Sequence, residues 1–316
     1  MTDTFHILNP GVLTTVQDLG RRGYGQYGIP VSGAMDRTSF QIANRLVGND
    51  PGDAGLEITL YGLKLEILRP VRISITGGDM NPRLNGEPLP MWQTLDLTAG
   101  STLLFKNIRS GARAYLAVEG GIDSPVQLDS RSTHQKAFLG KTLKKGDIVK
   151  TLIDKRTVIS HRLPDALIPT PQKQAEIRVI LGPQDDRFTR KGMNTFLSET
   201  FTITSQSDRQ GYRLEGDIIE HVSGADIISD AILPGSIQVP GNGQPIIMMM
   251  DAQTTGGYPK IACVIGPDID ILAQMLPGRK VRFRQIAIEE AHRIVHEQAL
   301  RMTQLEKEML AHQLSS

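Results

Sequence analysis

The sequence predicts a mainly β fold made of two β-rich domains with a few helices and a long C-terminal helix. Three observations lead there. Short apolar or alternating runs bounded by turn residues recur along most of the chain. Glycine supplies 31 of the 316 residues and proline 18, so glycine exceeds the usual share of about 7% without any collagen-like period. The runs also lie too close together for a helical crossover between every pair, which disfavours a doubly wound parallel sheet. A chain of 316 residues is long enough for two domains of roughly 150 residues, each with its own core.

The first domain is expected over residues 1–165. Its strands read as Leu65-Glu66-Ile67-Leu68, Val71-Arg72-Ile73-Ser74-Ile75, Thr102-Leu103-Leu104-Phe105 and Ala114-Tyr115-Leu116-Ala117-Val118. Turn chemistry separates them: Arg69-Pro70, Gly77-Gly78-Asp79, Asn85-Gly86, Ala99-Gly100 and Ser110-Gly111. Asn-Gly and Gly-Gly supply the positive φ that tight hairpins need. Ala34 to Val47 reads as a helix, with Phe40, Ala43, Leu46 and Val47 on one face and Gly48-Asn49 as its stop. A polar segment over about 150–175, punctuated by Pro164, Pro169 and Pro171, reads as the connection.

The second domain, 176–285, carries strand signals at Ile177–Leu181, Phe201–Thr204, Ile246–Met250, Ile261–Ile265 and Val281–Phe283. Residues 286–316 then form the last element, helical over about 286–313. Its weak heptad seam has Ile288, Val295, Met302 and Met309 at one position and Ala291, Gln298 and Leu305 at the other. Gln298 interrupts the seam, which leaves packing on the chain's own body and a homodimer both open. Asn85-Gly86-Glu87-Pro88 and Asn242-Gly243-Gln244-Pro245 stand about half the chain apart, either by chance or as a trace of duplication.

Composition excludes several classes. With 35 Lys+Arg against 34 Asp+Glu, the formal charge is +1, which gives no footprint for nucleic acid or a membrane surface. No apolar run approaches the ~20 residues needed to span a bilayer, and the N-terminus lacks a signal-peptide pattern. The single Cys263 leans the chain toward a reducing, cytoplasmic setting. Inside the apolar run Ile261–Ile265, it reads as a packed thiol.

Several motifs fail on context. Gly23-Tyr24-Gly25-Gln26-Tyr27-Gly28 has the dinucleotide spacing, yet Ile29-Pro30 follows where a helix should begin. Gly140-Lys141-Thr142 ends like a P-loop, but the upstream glycine position holds Gln135. His292 and His296 have zinc-ligand spacing, but Arg293 occupies the place of the glutamate base, so no metal is expected. There is no nucleophile elbow.

Four constellations combine glycines with polar groups more densely than packing requires. The first runs from Thr14 to Gly23 and from Pro30 to Asp36, where Ser32 or Asp36 could cap the following helix. The second joins Gly120-Gly121-Ile122-Asp123-Ser124-Pro125 to Ser130-Arg131-Ser132-Thr133. In the third, Ser205 to Leu214, Arg209 and Arg213 could fork onto a carboxylate or phosphate, or pair with Asp208 and Glu215. The fourth and densest is Gln244 to Lys260: an apolar strand delivers Asp251, Gln253, Thr254, Thr255, Gly256, Gly257, Tyr258 and Lys260. A plain hairpin needs the glycines but not that set of donors and acceptors.

Together, Thr15–Asp18, Ser32–Asp36, Ala43–Asn49, Glu57–Thr59, Tyr115–Asp123, Ser207–Leu214 and Asp251–Ile261 resemble the biotin-dependent carboxyltransferase family. That group includes the second subunit of allophanate hydrolase, the KipA proteins and the C subunits of 5-oxoprolinases. The resemblance runs in order from about residue 8 to about 290. The terminal helix gains no role from it.

The resemblance implies cyclophilin-like, barrel-like domains and a sister chain of the KipI type, the B subunit. A lactam-utilisation-type A subunit completes a complex that opens the lactam of 5-oxoproline to glutamate using ATP. It implies a hydrolase component inactive alone. Other members suggest a KipA-like protein that counters a KipI-type kinase inhibitor, or a carboxyltransferase acting on a small amide. ATP and Mg²⁺ are then used by the complex rather than clearly bound by this chain. Biotin would arrive on another chain, since the Met-Lys-Met tripeptide of a carrier is absent. Asp36, Gln253, Thr254, Tyr258 and Lys260 are the catalytic candidates. Arg209, Tyr212, Arg213, Thr255, Gly256 and Gly257 are the substrate-binding candidates.

Overall fold

Alternation of side chains along short, glycine-bounded runs lets each strand bury one face, and here two different sheet architectures result. The structure, a computed structural model, describes residues 1–152, 161–170 and 172–314. The described residues form two compact units. The first comprises Met1–Arg21, Ser32–Pro171 and Thr303–Ser316; the second comprises Arg22–Val31 and Gln172–Met302. Part of the expected connection, residues 153–160 and Pro171, lies outside the described residues.

In the first unit, a seven-stranded and a five-stranded sheet share one core. Phe5, Ile7, Leu63, Leu65, Ile67, Leu103 and Phe105 from the larger sheet pack in one cluster with Leu56, Ile58, Ile73, Ile75, Leu116 and Val118 from the smaller. The strand Ser110–Val118 is central in the five-stranded sheet. Ala114, Leu116 and Val118 enter the core between the sheets, while Tyr115 and Ala117 join Ala34, Phe40, Ala43 and Val47 on the other face. Covered on both faces, this strand reads as a continuous apolar run rather than an alternating one.

The helix on that second face, α1, spans Arg37–Leu46, within the expected Ala34–Val47. Asp36 is its N-cap: one carboxylate oxygen accepts from the Ser39 amide at 2.9 Å, the other from the Ser39 hydroxyl at 2.6 Å. Ser32 is not the cap. Asn44 and Asn49 hold the turn after the helix: Asn44 donates to the Asp53 carbonyl and Asn49 to the Val118 carbonyl.

Two expected turns prove to be strand. Gly77-Gly78-Asp79 lies within Val71–Asp79, and Ser110-Gly111 opens Ser110–Val118. Asp79 pairs with Ser110 and Gly77 with Ala114, so the register shifts between them, with φ of 78° at Gly77 and 73° at Gly111. Glycine marks a β-bulge here, because positive φ accommodates the extra residues without breaking the pair. Asn85-Gly86 does form the expected hairpin, with φ of 52° and 94°. The similar tetrapeptide at Asn242 makes a different turn, closed by the Gly243 amide on the Pro240 carbonyl.

The second unit is a closed barrel of seven strands. In order around it they are Gln174–Leu181, Lys260–Val264, Ser236–Gln238, Ile246–Met248, Gly211–Glu215, Thr200–Ile203 and Lys280–Gln285. Every adjacent pair is antiparallel except the closing one, Gln174–Leu181 with Lys280–Gln285. Closure leaves no edge strand to protect. The mainly β expectation holds; of the two barrel-like domains expected, the second unit is a closed barrel and the first is built of a seven-stranded and a five-stranded sheet.

Two short helices escaped the sequence reading. α2, Arg190–Ser198, is capped by Thr189 and stacks Phe196 on Phe283 with ring centroids 4.5 Å apart. α3, Gly266–Ala273, starts directly after a strand, and its buried Asp268 pairs with Arg178. The final helix, α4, spans Ile288–Leu314. Ala291 packs with Ile265 and Ile286, whereas Ile288 and Val295 of the seam face solvent. Gln298 donates toward Asp270 at 3.4 Å, which gives the polar break in the seam a local partner.

Replacing Asp36 by Ala removes the cap and strands a buried amide and hydroxyl. The expected loss is about 2 kcal/mol, with Asp36→Asn closer to the parent. Urea unfolding followed by Trp92, the single tryptophan, measures it.

Candidate functional site

Within the first unit, residues of the first two polar constellations come together, and within the second unit those of the third and fourth. In the first unit, the loop after Leu13–Gln17 meets Ser130–Thr133 around Asp18. One Asp18 carboxylate oxygen accepts from the Gly20 amide at 2.7 Å and from the Ser130 and Ser132 hydroxyls; the other accepts from the Arg131 amide at 2.6 Å. The fully buried Arg21 donates to the Ser132 carbonyl. Ser32 and Gly33 both have positive φ, and a Cβ on Gly33 would stand 2.8 Å from the Gly20 nitrogen. That glycine is required by close backbone approach as well as by conformation.

Asp36 also belongs to this unit. Its own amide donates to the Tyr115 hydroxyl at 2.7 Å, and Tyr115 in turn donates to Glu57. Burial, with Glu57 and Asp36 nearby, pushes the Tyr115 phenol well above its ordinary range. Tyr115 is therefore a lasting donor to Glu57. The Asp36 carboxylate is engaged in capping α1.

The second unit joins the segments around Arg209 and Lys260. Arg209, which the sequence left open between a ligand and a structural ion pair, forks onto Asp251. Its Nε and Nη2 donate to the two carboxylate oxygens at 2.9 and 3.0 Å, and both side chains are 8% exposed. The Asp251 amide returns a hydrogen bond to the Arg209 carbonyl at 2.8 Å. Arg209, expected as a substrate contact, thus clasps the turn that presents the Gly-rich loop. Tyr212 is buried in the adjacent strand, and Arg213, its neighbour, is exposed.

Lys260 behaves differently. Its side chain is 6% exposed, and its ammonium donates to Asp230 Oδ2 at 2.5 Å and to the Ala231 carbonyl at 2.9 Å. Asp230 itself is 49% exposed. Asp230 and Ala231 form a two-residue ribbon with Thr255 and Gly256. The Ile227 amide donates to the Gly257 carbonyl and the Ile232 amide to the Thr254 carbonyl, so residues 226–233 lie along the loop as a strap. Gln184 bridges the two sides, accepting from the Lys260 amide and donating to Asp230. A Cβ at Gly256 would meet the side-chain tips of Ile232 at 2.6 Å and Gln238 at 2.8 Å, which would have to shift; Gly257 has ordinary room.

Of the remaining candidates, Gln253, Thr255 and Tyr258 present exposed side chains and Thr254 is half-buried. The Tyr258 carbonyl accepts from the buried Gln238. Lys260, Thr254, Thr255, Gly256, Gly257 and Tyr258 are therefore assembled in one place, with Gln253 at its start. Sequence reasoning missed Asp230, Gln184 and Gln238: each stands far from the loop along the chain and in no recognisable motif. The arrangement sets a buried ammonium, paired with Asp230 and the Ala231 carbonyl, near exposed amide, hydroxyl and phenol groups of Gln253, Thr255 and Tyr258.

A nucleotide cradle at Gly140-Lys141-Thr142 does not fit these residues. Lys141 pairs with Asp147 at 2.8 Å, and the Gly140 amide donates to Gln127. Among the described residues, no three His, Cys, Asp or Glu side chains cluster to hold a metal. No described helix is long and apolar enough to cross a membrane. Burial pushes the Cys263 thiol up, which disfavours the thiolate a nucleophile needs.

The family model described as "Carboxyltransferase domain, subdomain A and B" matches residues 27–285. The chain is 40% identical to the C subunit of 5-oxoprolinase from Escherichia coli K12, over 90% of this chain and 92% of that protein. Against the C subunit of 5-oxoprolinase from Haemophilus influenzae, identity is 34%, over 95% and 97% of the two chains. The solved structure of Kluyveromyces lactis urea amidolyase superposes with a TM-score of 0.88 at 29% identity, covering 95% of this chain and 20% of that one.

Two outcomes follow from the geometry. Arg209→Met leaves Asp251 buried without its guanidinium and costs about 3–5 kcal/mol in thermal unfolding, much of it recovered in the Arg209→Met/Asp251→Leu double variant. The hydrogen bonds from Lys260, the Ala231 amide and Gln184 hold the Asp230 carboxyl below the usual carboxylate range. Its contribution is thus complete above the ordinary Asp value of about 3.9 and is lost as pH falls through the lower folded value. A ¹³C NMR titration of Asp230 should have its midpoint below about 3.9 and return toward that value in Lys260→Met.

Proposed function

Because the chain belongs to the carboxyltransferase domain family, we propose that it serves as the C subunit of an ATP-dependent 5-oxoprolinase. In that role it helps partner chains open the lactam of 5-oxoproline to L-glutamate. The observation that carries this reading is the end-to-end correspondence with the Escherichia coli protein, 40% identity over 90% of one chain and 92% of the other. Against the urea amidolyase of Saccharomyces cerevisiae, identity is 31%, and the match spans only 17% of that larger protein.

The chemistry agrees with a shared task. Hydrolysis of an unstrained five-membered lactam breaks a resonance-stabilised C–N bond, so the amide must be activated before water adds. ATP supplies that driving force in the complex. Since the Lys141 segment is engaged within its own fold, ATP and Mg²⁺ are assigned to the partners, a lactam-utilisation-type A subunit and a KipI-type B subunit. This chain contributes a wall of the site. Lys260 offers positive charge, while Gln253, Thr254, Thr255 and Tyr258 offer hydrogen bonds that orient a small cyclic amide. A cytoplasmic location agrees with a chain whose one cysteine makes no internal disulfide.

The test combines the purified chain with its two partner chains, ATP, Mg²⁺ and 5-oxoproline. Glutamate release is expected from the three together and from no subset; no release with all three present overturns the reading. A second reading, carboxyl transfer to a small amide from biotin held on another chain, is favoured by the likeness to urea amidolyase. Transfer of labelled bicarbonate from a biotinylated carrier, with no glutamate release, would establish it instead.

A further inference from the structure

The two buried cations of the second unit have counter-ions of opposite character. Arg209 and Asp251 are buried equally and clasp each other twice through side chains and once through backbone. Nothing in that arrangement can leave without exposing a buried charge. Lys260 is equally buried, but its counter-ion Asp230 is half exposed and sits on a strap. Only the pairs Asp230 with Gly256 and Ala231 with Thr255 make the ribbon. Of the strap's apolar residues, Ile232 is packed with Met248 and Ala252, whereas Ile228 is 94% and Leu233 66% exposed. Two of the ammonium's N–H bonds go to this strap, to Asp230 and to the Ala231 carbonyl.

We propose that Lys260 is the binding site for the carboxylate of a small monoanionic ligand, and that Asp230 occupies it as a strap-borne surrogate until the ligand arrives. The argument is one of charge balance. An ammonium this deeply buried is costly to leave unpaired, so Asp230 can depart only if another anion replaces it. A carboxylate exchanges for a carboxylate without changing the net charge or the type of hydrogen bond. Asp230, already facing water, is hydrated as it swings out. The strap then releases the Thr254 and Gly257 carbonyls, and it does so beside the exposed Gln253, Thr255 and Tyr258 side chains that would receive the rest of the ligand.

Identifying the ligand as 5-oxoproline rests on the function proposed above; the carboxylate site rests on the geometry alone. Because the closed strap withholds the site, the apparent affinity is the intrinsic one reduced by the open fraction. Removing the surrogate should therefore tighten binding.

The experiment titrates the full chain with 5-oxoproline, and separately with acetate and with uncharged 2-pyrrolidinone, by NMR and calorimetry. The expected result is binding of both carboxylates and not of the uncharged lactam, with faster hydrogen exchange at the Ile227 and Ile232 amides on binding. Asp230→Asn should bind 5-oxoproline roughly tenfold more tightly, and Lys260→Gln should lose binding. Should Asp230→Asn fold poorly, the exchange measurement on the parent chain decides. Binding with unchanged or slower exchange at those two amides, binding of 2-pyrrolidinone as strong as that of 5-oxoproline, or no carboxylate binding at all overturns the proposal. In the assay with all three chains, Asp230→Asn should lower KM for 5-oxoproline. An active complex whose KM is the same in Asp230→Asn and Lys260→Gln as in the parent would sink the carboxylate site while leaving the proposed function standing. Carboxylate binding by an inactive complex would do the reverse.

Discussion

A guanidinium and a carboxylate can be buried together only when their hydrogen bonds are met in place, because each loses its hydration on entering the fold. Arg209 and Asp251 satisfy that condition through two side-chain contacts and a backbone bond in the opposite direction. The consequence extends along the chain. The clasp joins the turn before the strand Gly211–Glu215 to the turn after Ile246–Met248, two neighbours in the barrel. The Gly-rich loop from Gln253 to Tyr258 leaves that second turn. Its starting point is set by an interaction that cannot easily be exchanged for water or ligand.

The same requirement governs the first unit. Asp18 gathers two hydroxyls and two amides from separate segments, and Asp36 commits its carboxylate to the first turn of α1. Motif residues that look chemically active along the chain are in these places engaged in holding loops at defined positions. Lys260 stands apart because its partner is half exposed and carried on a thin ribbon. The distinction between fixed and exchangeable counter-ions, rather than the mere presence of cations, separates scaffold from ligand-facing surface here.

Much of the architecture was legible locally. The Asn85-Gly86 hairpin, the strands around Thr102–Phe105 and Lys280–Gln285, and the helix after Asp36 each carry their own signal in propensity and period. Gly77 and Gly111 misled because positive φ serves a bulge as well as a turn, and only the register with the facing strand separates the two. α2 contains Gly192 and many polar residues, and α3 opens on Gly266-Pro267, so neither shows a strong helical period. Asp230 and Gln184 could not be linked to Lys260 at all, since pairing across the barrel leaves no spacing rule in the chain.

By itself the sequence determined the mainly β class, the dense polar loops, the near-neutral charge and the family resemblance, because these follow from composition, short-range period and motif residues. Only the tertiary structure decided what those motifs do. It turned Asp36 into a cap, gave Arg209 to Asp251, and set Lys260 beneath a strap. The physical reason is that the energy of a charged group depends on its burial and on the partner that meets it. Both are set by strands brought together from distant parts of the chain.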